Sequence, residues 1–456
     1  MSTIVSISTA PGIGGIGIIR MSGENSFNIL EKIFKPIKAQ KLCDIKGYTM
    51  KYGHIIDGDE VIDEVLVSYF KAPKSYTTEN MCEINSHGGN IIMKKILELC
   101  LKNGAEMAEP GEFTKRAFLN GRIDLTQAES VIDIINAKSD KEAQSSINQL
   151  EGELSKKIHE IKKEIIDYLT NIEVSIDYPE YDTPEVQENE LMNMLESVHG
   201  QLEKLENSFD NGKLVKDGIK TVIIGKPNAG KSSLLNAILK ENRAIVTDVA
   251  GTTRDTIEEY VNIKGITLKL IDTAGIRESG DQVEMIGVKK SLNELKNADL
   301  VIAIFDSSKD LDDEDFEILK LIKDKKSIIL LNKIDLKQVI NKTDKRIKEI
   351  SNNIIEMSIL NDSGIEELYD KIAELFNFNE INVGNEILIT NIRHKNIISK
   401  AKNNANKAQE AMNEGMPIDI VTIYIKEILE NLSEITGEVV SEDVINEIFS
   451  KFCLGK

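Results

Sequence analysis

The stretch Gly225-Lys-Pro-Asn-Ala-Gly-Lys231-Ser232 constrains this chain more than any other. It has the spacing G-x-x-x-x-G-K-[ST], in which glycines let backbone N–H groups turn toward a phosphate at a helix N-terminus. The apolar run Thr221–Ile224 in front of it reads as a buried strand, and Ser233-Leu-Leu-Asn-Ala-Ile-Leu239 behind it as the start of a helix. The nucleotide-binding positions of this loop are Asn228, Ala229, Gly230, Lys231, Ser232 and Ser233. Lys231 would reach the outer phosphates, and the Ser232 hydroxyl would hold magnesium. The plain alternative is a glycine turn before an ordinary helix, and the motifs that follow weigh against it.

Three more motifs come in order. Asp272-Thr273-Ala274-Gly275 ends a strand-like run; its Asp can reach magnesium through water, and the Gly275 N–H can contact a γ-phosphate. Asn332-Lys333-Ile334-Asp335 follows the apolar run Ser327–Leu331. The Asp335 carboxylate can accept from both the ring N–H and the exocyclic amine of guanine. Adenine lacks that donor pair and would leave a buried acceptor unpaired, so the site selects GTP over ATP. Ser358, in Met357-Ser-Ile-Leu, stands where a fifth loop would touch the base, with Ile359 in place of the usual alanine.

Hydrolysis is less direct. Many P-loop GTPases place a water-orienting Gln just after Asp-x-x-Gly, and here that residue is Ile276. Either the protein is a slow switch or the group comes from elsewhere. Glu284, in Val283-Glu-Met-Ile-Gly287, is one candidate, its alternative being a solvated surface carboxylate. No arginine finger stands out. Asn228 and the run Thr247-Asp248-Val249-Ala250-Gly251-Thr252-Thr253-Arg254 offer oxygen ligands. A monovalent cation held among them could replace an arginine's charge, and Thr253 is placed to bind magnesium.

Around this G domain the chain has ample core: 456 residues predict about two to four domains. Residues 1–120 carry 14 basic and 14 acidic side chains, leaving 42 against 62 in the rest and the whole net charge of −20 there. Such a surface makes a poor general nucleic-acid binder, so a local patch or partner would have to supply the field for an RNA substrate. No apolar run reaches membrane-span length, and Met1-Ser-Thr-Ile-Val-Ser has no basic leader. The four cysteines, Cys43, Cys82, Cys100 and Cys453, have no paired spacing, which fits a reducing cytosol rather than a disulfide framework or zinc site.

Residues 1–120 read as an α+β domain, with strands at Thr3–Ser8 and Val61–Phe70, a helix at Ile91–Leu101 and a turn at Pro110-Gly111. Gly12-Ile-Gly-Gly-Ile-Gly17 is a glycine-rich turn without the following helix that a dinucleotide fingerprint needs. Residues 121–218 read as helical. Apolar residues recur every three or four positions from Ile147 to Ile176, predicting one apolar face over about four heptads. A proline-marked acidic break at 177–185 precedes a second stripe from Leu191 to Phe209. Residues 219–379 alternate strands and helices as a mostly parallel sheet with crossovers does, and residues 380–456 return to helices at Ile418–Leu432 and Ser441–Phe452. The expected architecture is a multidomain α/β plus α chain, with a Ras-like P-loop G domain inserted in a helical bundle domain.

Other stretches resemble the tRNA uridine-modification GTPase family MnmE, also called TrmE. They are Thr9-Ala-Pro-Gly-Ile-Gly-Gly-Ile-Gly with Arg20-Met-Ser-Gly, Ser75-Tyr-Thr-Thr-Glu, His87-Gly-Gly, Pro110 to Leu125, Gly251-Thr-Thr-Arg-Asp255 and the terminal Phe452-Cys-Leu-Gly-Lys456. The resemblance implies that residues 1–120 form a tetrahydrofolate-binding domain that mediates homodimerisation. It implies potassium ligands at Asn228, Thr247, Val249 (by its carbonyl) and Thr252, and it makes Glu284 the catalytic glutamate that orients water. It implies a folate site of Arg20, Glu83, Arg122 and Lys456, with charge-assisted bonds suited to a pterin and its glutamate tail. Arg122 departs from the family's usual lysine, and Leu454 from its usual isoleucine. Cys453 is the family's functional cysteine; Cys43, Cys82, Cys100 and His87 read as structural.

The implied activity is potassium- and magnesium-dependent GTP hydrolysis in the cytoplasm. With an FAD-dependent partner of the MnmG/GidA type, in a heterotetramer or larger, it would add an aminomethyl or carboxymethylaminomethyl group to the wobble uridine of tRNAs. The carbon would come from 5-formyl- or methylene-tetrahydrofolate. The competing expectation is a regulatory or ribosome-assembly GTPase switch, against which stand the folate residues and the lack of a basic RNA-binding module.

Overall fold

The computed structural model describes residues 2–38, 47–177, 184–242, 258–271, 294–378, 384 and 386–456. The chain divides into two compact units. One comprises Met1–Ile132, Gln149–Val198 and Lys400–Lys456; the other comprises Asp133–Asn148 and His199–Ser399.

The first unit opens with seven strands and two helices that alternate with them. The strands are β1 (Ile4–Ile7), β2 (Gly17–Ser22), β3 (Phe34–Pro36), β4 (Thr49–Asp57), β5 (Glu60–Phe70), β6 (Met81–Ser86) and β7 (Glu106–Met107); the helices are α1 (Ser26–Ile33) and α2 (Asn90–Lys102). They form one sheet in the order β3-β4-β5-β6-β2-β1-β7. Ile19, Met21, Ile55, Val67 and Ile84 point to one face and pack with Leu30 of α1 and Ile96 of α2. Side chains alternate along a strand, so Arg20 and its cross-strand partner Glu83 must project from the other face. That register sets Arg20 and Glu83 side by side. The glycine-rich turn lies beside the loop of His87, where Gly14 N–H donates to the Gly88 carbonyl at 3.2 Å.

Helix α3 (Glu112–Leu119) and α4 (Leu125–Asn136) follow. The apolar stripe from Ile147 is divided between α5 (Asp140–Leu150) and α6 (Glu153–Asp177) rather than carried by one helix. Gly152 between them takes φ 86°, a left-handed helix end. The freed Leu150 carbonyl accepts from Gln127 Nε2 at 2.7 Å, which stabilises the break. Leu154, Ile158, Ile161 and Ile165 of α6 are nonetheless buried, as the periodicity requires. Helix α7 (Pro184–Asp217) buries its stripe from Leu191 to Phe209.

The second unit's core is a six-stranded sheet. Its elements are β8 (Ile219–Gly225), α8 (Lys231–Asn242), β9 (Glu258–Ile263), β10 (Ile266–Ile271), β11 (Leu300–Asp306), α9 (Asp313–Ile322), β12 (Ser327–Asn332), α10 (Lys345–Lys348), β13 (Ile354–Glu356) and α11 (Ile365–Leu375). The order is β13-β12-β11-β8-β10-β9, with every pairing parallel except the β9–β10 hairpin. β11 and β12 are buried on both faces, which explains their unbroken apolar runs. This is the fold of a P-loop G domain. Helices α12 (Ile392–Asn413), α13 (Ile418–Thr436) and α14 (Glu442–Ser450) end the chain. In the first unit α13 packs on α6, and α14 on α3 through Phe449. Among the described residues no helix is long and apolar enough to cross a membrane.

Candidate functional site

The P-loop leaves β8 at its C-terminal end and delivers Lys231 to the first turn of α8. Parallel strands put such loops at one edge of the sheet, where ligands bind. Lys231 Nζ donates to the carbonyls of Gly225 at 2.6 Å and Lys226 at 2.9 Å, arching the ammonium back over the loop. Burial holds its pKa below the usual lysine value. Ser232 and Ser233 are exposed at the helix start, and Ala229 is buried. Asn228 adopts φ 63°, the left-handed conformation asparagine tolerates better than most side chains. Its side chain is exposed on the same loop.

The base-side motif meets the P-loop directly. Asn332 Nδ2 donates to the Ala229 carbonyl at 2.8 Å, and its Oδ1 accepts from Ile359 N–H at 3.3 Å. One buried amide thus joins three loops. Lys333, at φ 68°, donates from Nζ to Asp306 at 2.6 Å. The Ser358 hydroxyl donates to Asp335 Oδ1 at 2.5 Å; Ser358 is buried and Asp335 exposed, so the carboxylate is oriented yet open to a ligand. Thr247, Asp248, Val249, Ala250, Gly251, Thr252, Thr253, Asp272, Thr273, Ala274, Gly275 and Glu284 lie outside the described residues.

The P-loop has one further tie that sequence reasoning missed. Lys226 Nζ is paired with Asp312 and, at 2.9 Å, with Asp315. These acids form a reciprocal capping box at the start of α9, each accepting the other's backbone N–H at 3.2 Å. Local sequence carries no signal for it, because the partners are 86 and 89 residues from the lysine.

A second cluster sits in the first unit. Arg20 Nε donates to Glu83 Oε1 at 2.9 Å, and its NH1 donates to the Gly455 carbonyl at 3.2 Å. The Ser8 hydroxyl donates to that same carbonyl at 3.0 Å, and Gly111 N–H donates to the Cys453 carbonyl at 3.3 Å. The C-terminal tail is thereby laid against β1 and the start of α3. Gly455, at φ 85°, is required there: a Cβ would stand 2.4 Å from the Ile7 carbonyl. Lys456 is held below the usual lysine range by burial and by Arg20, with Glu83 and Cys453 opposing. Cys453 is exposed.

Arg122 completes the cluster through an aromatic. Its guanidinium lies 4.5 Å from the Tyr76 ring centroid, and that of Arg20 lies 5.6 Å from the rings of Tyr76 and Phe113. The Tyr76 hydroxyl is 2.9 Å from the Thr114 hydroxyl, which fixes the ring. Tyr76, Phe113 and Thr114 fall inside quoted motifs, but spacing gave no reason to single them out. A flat guanidinium stacks on an aromatic face as a compact ammonium does not, which accounts physically for an arginine at 122. The cluster thus gathers the cationic side chains of Arg20, Arg122 and Lys456 around Glu83 and Tyr76. His87 stands elsewhere: its Nδ1 pairs with Asp63 Oδ1 at 2.7 Å, and that bond raises its pKa.

Comparison with known proteins places both units of the chain in one family. Residues 3–122 match the family model for the GTP-binding protein TrmE N-terminus, and residues 125–453 match that for the MnmE helical domain.

The chain belongs to the MnmE family of tRNA modification GTPases.

Its MnmE relatives include the tRNA modification GTPase MnmE of Clostridioides difficile, 50% identical over 100% of this chain and 99% of that protein. The MnmE of Finegoldia magna is 51% identical over 99% of both. Among solved structures, the G domain of the T. maritima FeoB iron transporter is 29% identical over 34% of this chain and 98% of its own, with a TM-score of 0.27. As an MnmE-family GTPase, the protein binds and hydrolyses GTP and acts in tRNA modification.

Proposed function

We propose that this GTPase hydrolyses GTP with potassium and magnesium and, with an FAD-dependent partner of the MnmG/GidA type, adds an aminomethyl or carboxymethylaminomethyl group to the tRNA wobble uridine. The one-carbon unit comes from a tetrahydrofolate derivative. The observation that carries this reading is the Arg20–Glu83–Arg122–Lys456 cluster, to which the C-terminal tail is hydrogen-bonded. A GTPase that acts only as a switch has no use for such a surface.

The donor sets fit the groups they would hold. Two arginines and a lysine suit the carboxylates of a folate glutamate tail, and Glu83 can accept from the N–H groups of a pterin. In the other site Lys231 would hold the outer phosphates, while Ser232 and Thr253 would hold magnesium. Asn228, which is exposed, would join Thr247, the Val249 carbonyl and Thr252 in holding potassium, which would supply positive charge in place of an arginine finger. Glu284 orients the attacking water. Asp335, set by Ser358, reads guanine. Cys453 lies on the exposed tail beside the folate cluster and serves the modification step.

The protein acts as a homodimer in the cytoplasm. Met50, Tyr52 and Leu66 are exposed on the sheet face that also carries Arg20 and Glu83, an apolar surface fit for a second copy. The test is GTP turnover against potassium and against sodium, in the natural protein and in Glu284→Ala. Fast turnover in potassium only, lost in the variant with GTP binding retained, is expected. Equal rates in both salts would remove the cation assignment, and unchanged turnover would remove Glu284.

A further inference from the structure

The P-loop is held at three points. Lys231 bonds its first two carbonyls, Asn332 bonds the Ala229 carbonyl, and Lys226 reaches sideways to Asp312 and Asp315 at the start of α9. The first two ties belong to residues that the nucleotide also engages. The third uses a side chain whose partners are both acids of another element, the start of α9.

Two features define the purpose of this tie. The first is mechanical. Lys226 supplies a carbonyl to Lys231 Nζ and another hydrogen bond, at 3.3 Å, to Ala229 N–H. Fixing its side chain therefore fixes the peptide on which the phosphate-binding lysine rests. The second is electrostatic. Asp312 and Asp315 stand within one lysine length of a loop built to hold a polyanion. The helix N-terminus stabilises both carboxylates, and their capping bonds keep them in place. Without a cation between them and the loop, they would repel the nucleotide.

We propose that Lys226 is a positioning residue for GTP: it pins the P-loop to the capping box of α9 and screens Asp312 and Asp315 from the triphosphate. Its salt-bridged half-buried position and its raised pKa keep the charge in place at all physiological pH values. The role differs from that of Lys231, which meets phosphate directly. Lys226 acts on KM, because the ground-state complex and the transition state both carry the triphosphate charge.

The test uses four full-length variants and steady-state GTP hydrolysis, with circular dichroism to check folding. Lys226→Met should raise KM about five- to twentyfold with kcat within about twofold, an effect that shrinks at high salt. Lys226→Arg should restore the natural KM, since it spans the same acids. Asp312→Asn with Asp315→Asn retains the helix cap and leaves Lys226 an amide oxygen to donate to at each position, so KM should stay within about twofold. Joining those two changes to Lys226→Met should recover part of the lost affinity, because the charges to be screened are gone while the tie to α9 stays broken. A folded Lys226→Met with the natural KM overturns the proposal. So does a triple variant as weak as Lys226→Met alone, for then the lysine acts on something other than these carboxylates.

Discussion

Substituting Gly230 by alanine tests the joint between the phosphate and guanine motifs. Gly230 sits at φ 117°, and a Cβ there would stand 2.3 Å from Asn332 Nδ2. Asn332 is only 3% exposed, so its amide cannot swing into solvent to make room. The methyl group must displace it, breaking the 2.8 Å bond to the Ala229 carbonyl and the 3.3 Å bond from Ile359 N–H. A buried group left unpaired costs about 1–3 kcal/mol. Holding an L-residue at this φ costs about 1–3 kcal/mol more. Taking the middle of both ranges, the nucleotide-ready loop is disfavoured by about 4 kcal/mol, or roughly a thousandfold in affinity. Titration of a fluorescent GDP analogue measures this directly, and thermal unfolding with and without GDP separates it from loss of fold. The expected result is a folded protein with little or no nucleotide-induced stabilisation. A dissociation constant within about threefold of the natural one would refute the reasoning, since a shift that cheap means Asn332 does not brace the loop.

Two further outcomes follow from side-chain geometry. Tyr76→Leu removes the ring under Arg122 and Arg20, and 5-formyl-tetrahydrofolate binding should weaken about tenfold by calorimetry, while Tyr76→Phe stays within about threefold. Equal binding by Tyr76→Leu would show that Arg122 needs no platform. Glu142 caps α5, accepting from Lys138 N–H at 2.7 Å, and burial pushes its carboxyl up from 4.5 to about 7. The folded state therefore binds this proton more tightly than the unfolded chain. Its stabilising contribution is complete below pH 4.5 and is lost as pH rises through 7. Glu142→Gln should raise stability by about 2 kcal/mol at pH 8 and by almost nothing at about pH 3.5. A gain of equal size at both pH values would mean that the carboxylate's charge is not the cause.

The nucleotide half of the protein was legible because its chemistry is local. A phosphate needs glycines, a lysine and a hydroxyl within eight residues, so Gly225–Ser232 announces its ligand without help from the fold. The parallel strands were equally plain, since burial on both faces leaves unbroken apolar runs. Periodicity was less decisive for α5 and α6. It fixed which residues turn inward but passed over Gly152, because an apolar stripe continues through a capped break.

The sequence by itself determined a GTP site and a helical chain around it, for those follow from short-range patterns of residue type. Tertiary structure alone decided what the P-loop leans on. Asn332 reaches Ala229 across 103 residues, and Lys226 reaches Asp312 across 86. It likewise brought Arg20 to Gly455 across 435 residues. A hydrogen bond or ion pair depends on a few ångströms of space, and only the folded chain turns so many residues of sequence into that distance.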